Sequence, residues 1–159
     1  MQKRFLVAWA YLVELLLSVL LLTLFDLLGG VEPTGAWVGR QVSPLGNLLL
    51  TGIAVGAAVF AGFVAVLTTE FGQALRRAGK AKMYAMAFGW PLLLFAITIG
   101  ILMLRSPSGW GLAYSQTVIL FLIYCSVNFF TMVKNVIDFI GLWQDVERAR
   151  KDGKRPKDP

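Results

Sequence analysis

Four apolar runs, separated by short polar segments, limit what this chain can become. They cover Phe5 to Leu28, Leu45 to Leu67, Met83 to Leu104 and Thr117 to Leu142. A helix rises about 1.5 Å per residue, so roughly 20 apolar residues cross about 30 Å of hydrocarbon. Each run is long enough. Helices of a soluble bundle carry a charged outer face, and these runs have none. The expected fold is therefore all-α: a polytopic membrane four-helix bundle spanning residues 1–143, followed by a charged, partly disordered tail, 144–159. Lys3 and Arg4 before the first run resemble a signal peptide. That run is too long for one and lacks a small-x-small cleavage site, so it reads as a retained span.

Composition agrees and excludes much chemistry. The chain is 57% hydrophobic and 15% charged, against about 45–50% and about 25% in soluble domains. It has no histidine and one cysteine, Cys125. This removes the commonest general base and metal ligand, any intramolecular disulfide and any thiolate cluster. No nucleotide-binding, zinc or catalytic-triad pattern occurs. The expectation is a non-enzymatic protein without cofactor or metal. A net charge of +6 would suggest nucleic acid in a soluble domain. Here the cations flank apolar runs, so the expected partner is the bilayer and not nucleic acid.

Lys and Arg set the expected orientation. The N-terminal tail carries two, the segment between runs two and three carries four (Arg76, Arg77, Lys80, Lys82), and the C-terminal tail carries six. The other two loops hold only Arg40 and Arg105. Both ends are thus expected in the cytoplasm, with the chain in the plasma (inner) membrane. Trp37, Trp110 and Tyr114 fall near the outer boundary, and Trp9, Tyr84 and Trp143 near the inner one. Pro33 and Pro44 are expected to keep 29–46 non-helical, and Ser106-Pro107-Ser108-Gly109 reads as a turn. Pro91 is expected to kink the third helix.

The fourth run carries polar residues at Thr117, Tyr124, Asn128, Thr131, Asn135 and Asp138. Their three- and four-residue spacing places them on one face. In the first run, Tyr11, Glu14 and Ser18 share a face. Glu14 lies ten residues past Arg4, about 15 Å deep, where an ionised carboxylate costs about 2.5–3.5 kcal/mol on insertion scales. Lys134 lies at similar depth, which suggests a Glu14–Lys134 pair, with Asp138 competing for the lysine. The alternative leaves Glu14 neutral and lets Lys134 snorkel to the interface. In the second run, Gly52 and Gly56 form one small-xxx-small series, and Ala54, Ala58 and Gly62 another. Such series let helices approach closely. Asn47 and Thr51 are placed to meet Gln116 or Thr117. The segments Glu70-Phe71-Gly72 and Asp138-Phe139-Ile140-Gly141 share a loose pattern, too weak to establish a duplication.

Small size, missing site chemistry and a polar stripe in need of a partner together suggest an accessory or structural subunit of a larger plasma-membrane complex. A small homo-oligomeric channel, or a proton- or ion-coupled transporter with Glu14 as the titrating group, is the alternative. A holin-like pore or membrane toxin is the third reading.

Overall fold

The structure is a computed structural model that describes residues 2–29, 31–104 and 111–151. Among these residues it is all-helical, with five helices: α1 (Gln2–Gly29), α2 (Val31–Val66), α3 (Glu70–Arg77), α4 (Ala81–Met103) and α5 (Gly111–Lys151). Four of them are long and apolar enough to cross a membrane, over Tyr11–Gly29, Arg40–Val66, Ala81–Met103 and Ala113–Ala149.

Three local expectations change. Residues 31–44 are helical, because α2 starts at Val31 and runs through Pro44. Pro33 falls in the first turn of α2, where N–H groups have no intrahelical acceptor to lose. Pro44 is exposed, and neighbouring turns hold the helix together around the one bond it cannot make. Between the second and third spans lies a helix, α3, in place of a plain loop. Finally, α5 starts before the expected 117, at Gly111, and it continues the fourth span into the charged tail as far as Lys151. Its 41 residues extend about 61 Å, twice the hydrocarbon thickness. The expected turn at 106–109 and the tail from 152 lie outside the described residues.

α5 is the central helix. It touches α1, α2 and α4, and α1 packs mainly on α5 and less on α2. Contacts at both ends show that α4 and α5 run antiparallel. Tyr84 meets Phe139 at 5.1 Å between ring centroids, and Tyr114 Oη shares its one proton between the carbonyls of Ile101 and Leu102, at 3.2 and 3.0 Å. The second contact fills acceptors that the last turn of α4 leaves open.

Two buried clusters hold the helices together. One joins Leu45 and Leu49 of α2, Leu94, Phe95 and Leu102 of α4, and Val118, Ile119 and Cys125 of α5. The other, at the α3 end, is mostly aromatic: Phe63, Phe71, Phe88 and Phe139, with Leu75 and Met132. Lipid is as apolar as these side chains, so their gain is close packing rather than escape from water. Many large apolar side chains face outward as well. Leu16, Leu20, Leu27, Leu28, Phe130 and Ile137 are all exposed, which in water would be an aggregation liability and in hydrocarbon is not.

The glycines of α2 make the tightest approach. A Cβ on Gly52 would sit 2.6 Å from the Phe95 ring, and one on Gly56 would sit 2.8 Å from a Leu92 methyl. This small-residue pair therefore faces α4. Ala54, Ala58 and Gly62 lie on the other side of α2, exposed, and Gly62 has open space around it.

Candidate functional site: a polar cluster between α1, α4 and α5

The polar stripe of α5 is turned inward over its middle third. Tyr124 and Asn128 are buried, Thr131 and Asn135 are half-buried, and only the ends, Thr117 and Asp138, are exposed. This removes the reason given above for an external partner. Three of its side chains also bond within their own helix. Asn128 Nδ2 donates to the Tyr124 carbonyl at 3.0 Å, Thr131 Oγ1 to Val127 at 3.2 Å, and Thr117 Oγ1 to Ala113 at 2.8 Å. Such back-bonding lets a polar residue sit in an apolar medium without a neighbour.

α1 docks on this stripe with the face foreseen from its spacing. Ser18 is fully buried and donates to the Glu14 carbonyl at 2.8 Å. The Tyr11 ring packs against Trp90 of α4 with centroids 5.5 Å apart, and lies within electrostatic reach of Glu14 and Tyr124. The Glu14 carboxyl faces the Thr131 hydroxyl. Two buried polar atoms of this cluster, Glu14 Oε2 and Trp90 Nε1, have no protein hydrogen-bond partner. Nothing in the sequence singled out Trp90. Its signal was position, directly before Pro91 in the middle of a span.

The Glu14–Lys134 pair does not form. Lys134 Nζ bonds Asp138 Oδ2 at 2.7 Å, and both side chains are exposed, at 73% and 55%. The competing partner wins because it lies one turn away on the same helix. Glu14 lies instead beside Thr131, about one turn before the lysine on α5. Asp138 adjoins Phe139, which packs on α3, so the lysine reaches toward the α3 end, as a snorkelling side chain does. We therefore expect no coupling between Glu14→Gln and Lys134→Met. A double-mutant cycle of unfolding free energies should close to within about 0.5 kcal/mol. A coupling above about 1 kcal/mol would mean the two charges meet.

Other side chains resolve differently from their sequence reading. Asp26 at the far end of α1 accepts from Gln116 Nε2 at 3.0 Å, a second tie between α1 and α5. Gln116 thus turns to α1, and Asn47 and Thr51 are exposed. Thr51 Oγ1 donates to the Asn47 carbonyl at 2.9 Å. Pro91 is buried inside α4, which continues to Met103. Its ring leaves the Ala87 carbonyl without an intrahelical donor. Thr98 Oγ1 donates to Leu94 O at 2.7 Å and lies 3.1 Å from Cys125 Sγ. A hydroxyl has one proton, so the thiol is the donor across the α4–α5 contact.

Four long apolar helices, with a partly buried polar cluster held between three of them, are those of a multi-pass membrane protein. The chain matches no family model, no curated protein and no solved structure. Among the described residues no group of His, Cys, Asp and Glu is arranged to hold a metal.

Proposed function

We propose that the chain is a non-catalytic subunit of a larger assembly in the plasma (inner) membrane, with both termini in the cytoplasm. The observation that carries this reading is the outward face of α2. Ala54, Ala57, Ala58, Ala61, Gly62 and Ala65 are all exposed on one helix. The other side of that helix shows what small residues do in this protein, where Gly52 and Gly56 bring α2 against the side chains of α4. A lipid-facing surface gains nothing from such residues, whereas a neighbouring helix gains close van der Waals contact. The orientation rests on the charge bias, with twelve Lys and Arg on one side and two on the other.

The test is the mass of the intact assembly, purified in mild detergent from the native host, with its subunits identified. A hetero-complex is expected, and Ala58→Phe should release the partner while leaving the melting temperature of the released chain within about 2 °C, as a surface change does. A chain that purifies alone, with or without the substitution, would sink the reading.

A second reading is a homo-oligomeric channel or an ion-coupled transporter. One observation favours it: Glu14 presents an unpartnered carboxyl oxygen inside a membrane-spanning region, where ionisable groups mark transport paths by default. Flux in proteoliposomes that is abolished by Glu14→Gln would establish it. Equal flux in both proteins would remove it.

A further inference from the structure

We propose that the outward side of α3, with Arg76 and Arg77, together with Lys80 of the following turn and Lys82 at the start of α4, binds the headgroup phosphates of anionic phospholipids. The inference is independent of which leaflet α3 faces and of any partner on α2.

Placement comes first. Three residues join the end of α2 to α3, and three join α3 to the start of α4. Both neighbours are candidate spans, so α3 is held where two spans leave the hydrocarbon. This is the depth of lipid phosphates, and it disfavours nucleic acid or a free acidic peptide as the ligand.

Rigidity comes second. Thr69 caps the N-terminus, its side chain accepting from Gly72 N–H at 3.3 Å. At the other end Gly79 takes φ +69°. Its N–H reaches the Arg76 carbonyl at 3.0 Å, and the Lys80 N–H reaches Leu75 at 3.1 Å. That is a Schellman closure, which needs a residue at ease with positive φ. The underside is docked as well. Leu75 is fully buried, and Phe71 packs on Phe139 at 5.6 Å and stacks on Trp143 at 6.3 Å, both from α5.

With the apolar side fixed inward, the basic side has no freedom to turn away from the membrane surface. Arg76, Arg77 and Lys82 are exposed and Lys80 is half-buried. Guanidinium groups bind phosphate oxygens through paired N–H donors. Cations near a bilayer surface also gain from anionic lipid, roughly fivefold in affinity for each one.

The experiment places the full chain in nanodiscs of phosphatidylcholine with a minor share of phosphatidylglycerol. It counts the lipids retained after mild release by native mass spectrometry. Retained phosphatidylglycerol is expected at several times its bulk share. R76Q/R77Q should abolish the enrichment, R76K/R77K should keep most of it, and R148Q/K151Q, which removes equal charge from α5, should leave it unchanged. Equal losses in R76Q/R77Q and R148Q/K151Q would reduce the effect to net charge and overturn the site. No enrichment in the unaltered chain would overturn it outright. Displacement of the lipid by millimolar inorganic phosphate would show a free-anion site instead. Should R76Q/R77Q fail to fold, the single variants R76Q and R77Q are read against R148Q in the same way.

Discussion

Gly52→Leu is expected to unfold most of the protein under conditions where Gly62→Leu has almost no effect. Both substitutions put the same side chain on the same helix, and both gain the same helix propensity over glycine. They differ only in what they meet. At Gly52 the first added carbon already lies 2.6 Å from the Phe95 ring. Phe95 is itself buried, with its ring 6.3 Å from that of Phe129 of α5, so moving it disturbs packed neighbours. Overpacking in a closed core costs about 1–3 kcal/mol for small insertions, and a leucine pushes α2 away from α4 over the whole contact. A loss of about 3 kcal/mol or more is therefore expected by denaturant titration in mixed micelles. A Cβ at Gly62 would meet nothing within 4 Å, and only the helix-propensity gain, under about 1 kcal/mol, is expected. Similar losses at the two sites would mean that α2 does not pack on α4 through this face. A large loss at Gly62, seen only in the native assembly, would instead locate the partner.

Length and apolarity made the four spans legible, since both are properties of single segments. Their ends were less so, because prolines were read as helix stoppers at Pro33 and Pro44. One falls in a first turn and the other on an exposed side of a 36-residue helix, where neither loses enough to stop it. α3 escaped for a different reason. Eight residues are too short to show a period, and its signals were the cap Thr69 and the turn glycine Gly79. These become meaningful only once Phe71 and Leu75 have somewhere to go.

The polar face of α5 was visible from spacing, but its purpose was not. Polarity in a span suggests an outside partner until the neighbours are known. Here α1 brings Tyr11, Glu14 and Ser18 to that face, and the hydroxyls and amide bond their own backbone. The ion pair was misassigned because depth alone was used. Glu14 and Lys134 share a level, but a helix has several faces, and Asp138 is one turn from the lysine on its own helix. The two GxxxG-like series likewise look alike in sequence and differ only in which has a neighbour.

Phe139→Ala is expected to give the other large loss, and to give it in a particular order. Phe139 is buried, and its ring meets Phe63 of α2 at 5.6 Å, Phe71 of α3 at 5.6 Å, Tyr84 of α4 at 5.1 Å and Phe88 of α4 at 6.0 Å. The two segments that share a loose sequence pattern thus meet through their phenylalanines. Truncation removes contacts to three helices at once and leaves a cavity none of them fills. Phe→Ala in a closed core costs about 3–5 kcal/mol, part of it the edge-to-face terms of about 0.5–1.5 kcal/mol per aromatic pair. Phe130 on the same helix is 73% exposed, and its alanine variant should cost under about 0.5 kcal/mol. α3 should detach before the spans separate, because Phe71 and Leu75 are its only buried side chains and Phe71 rests on Phe139. Trypsin then reports the order. Cleavage at Arg76, Arg77 or Lys80 should accelerate in Phe139→Ala at temperatures where the spans remain folded. If cleavage and global unfolding rise together, α3 is not a separately docked element, and the ring cluster is one cooperative unit with the rest of the packed helices.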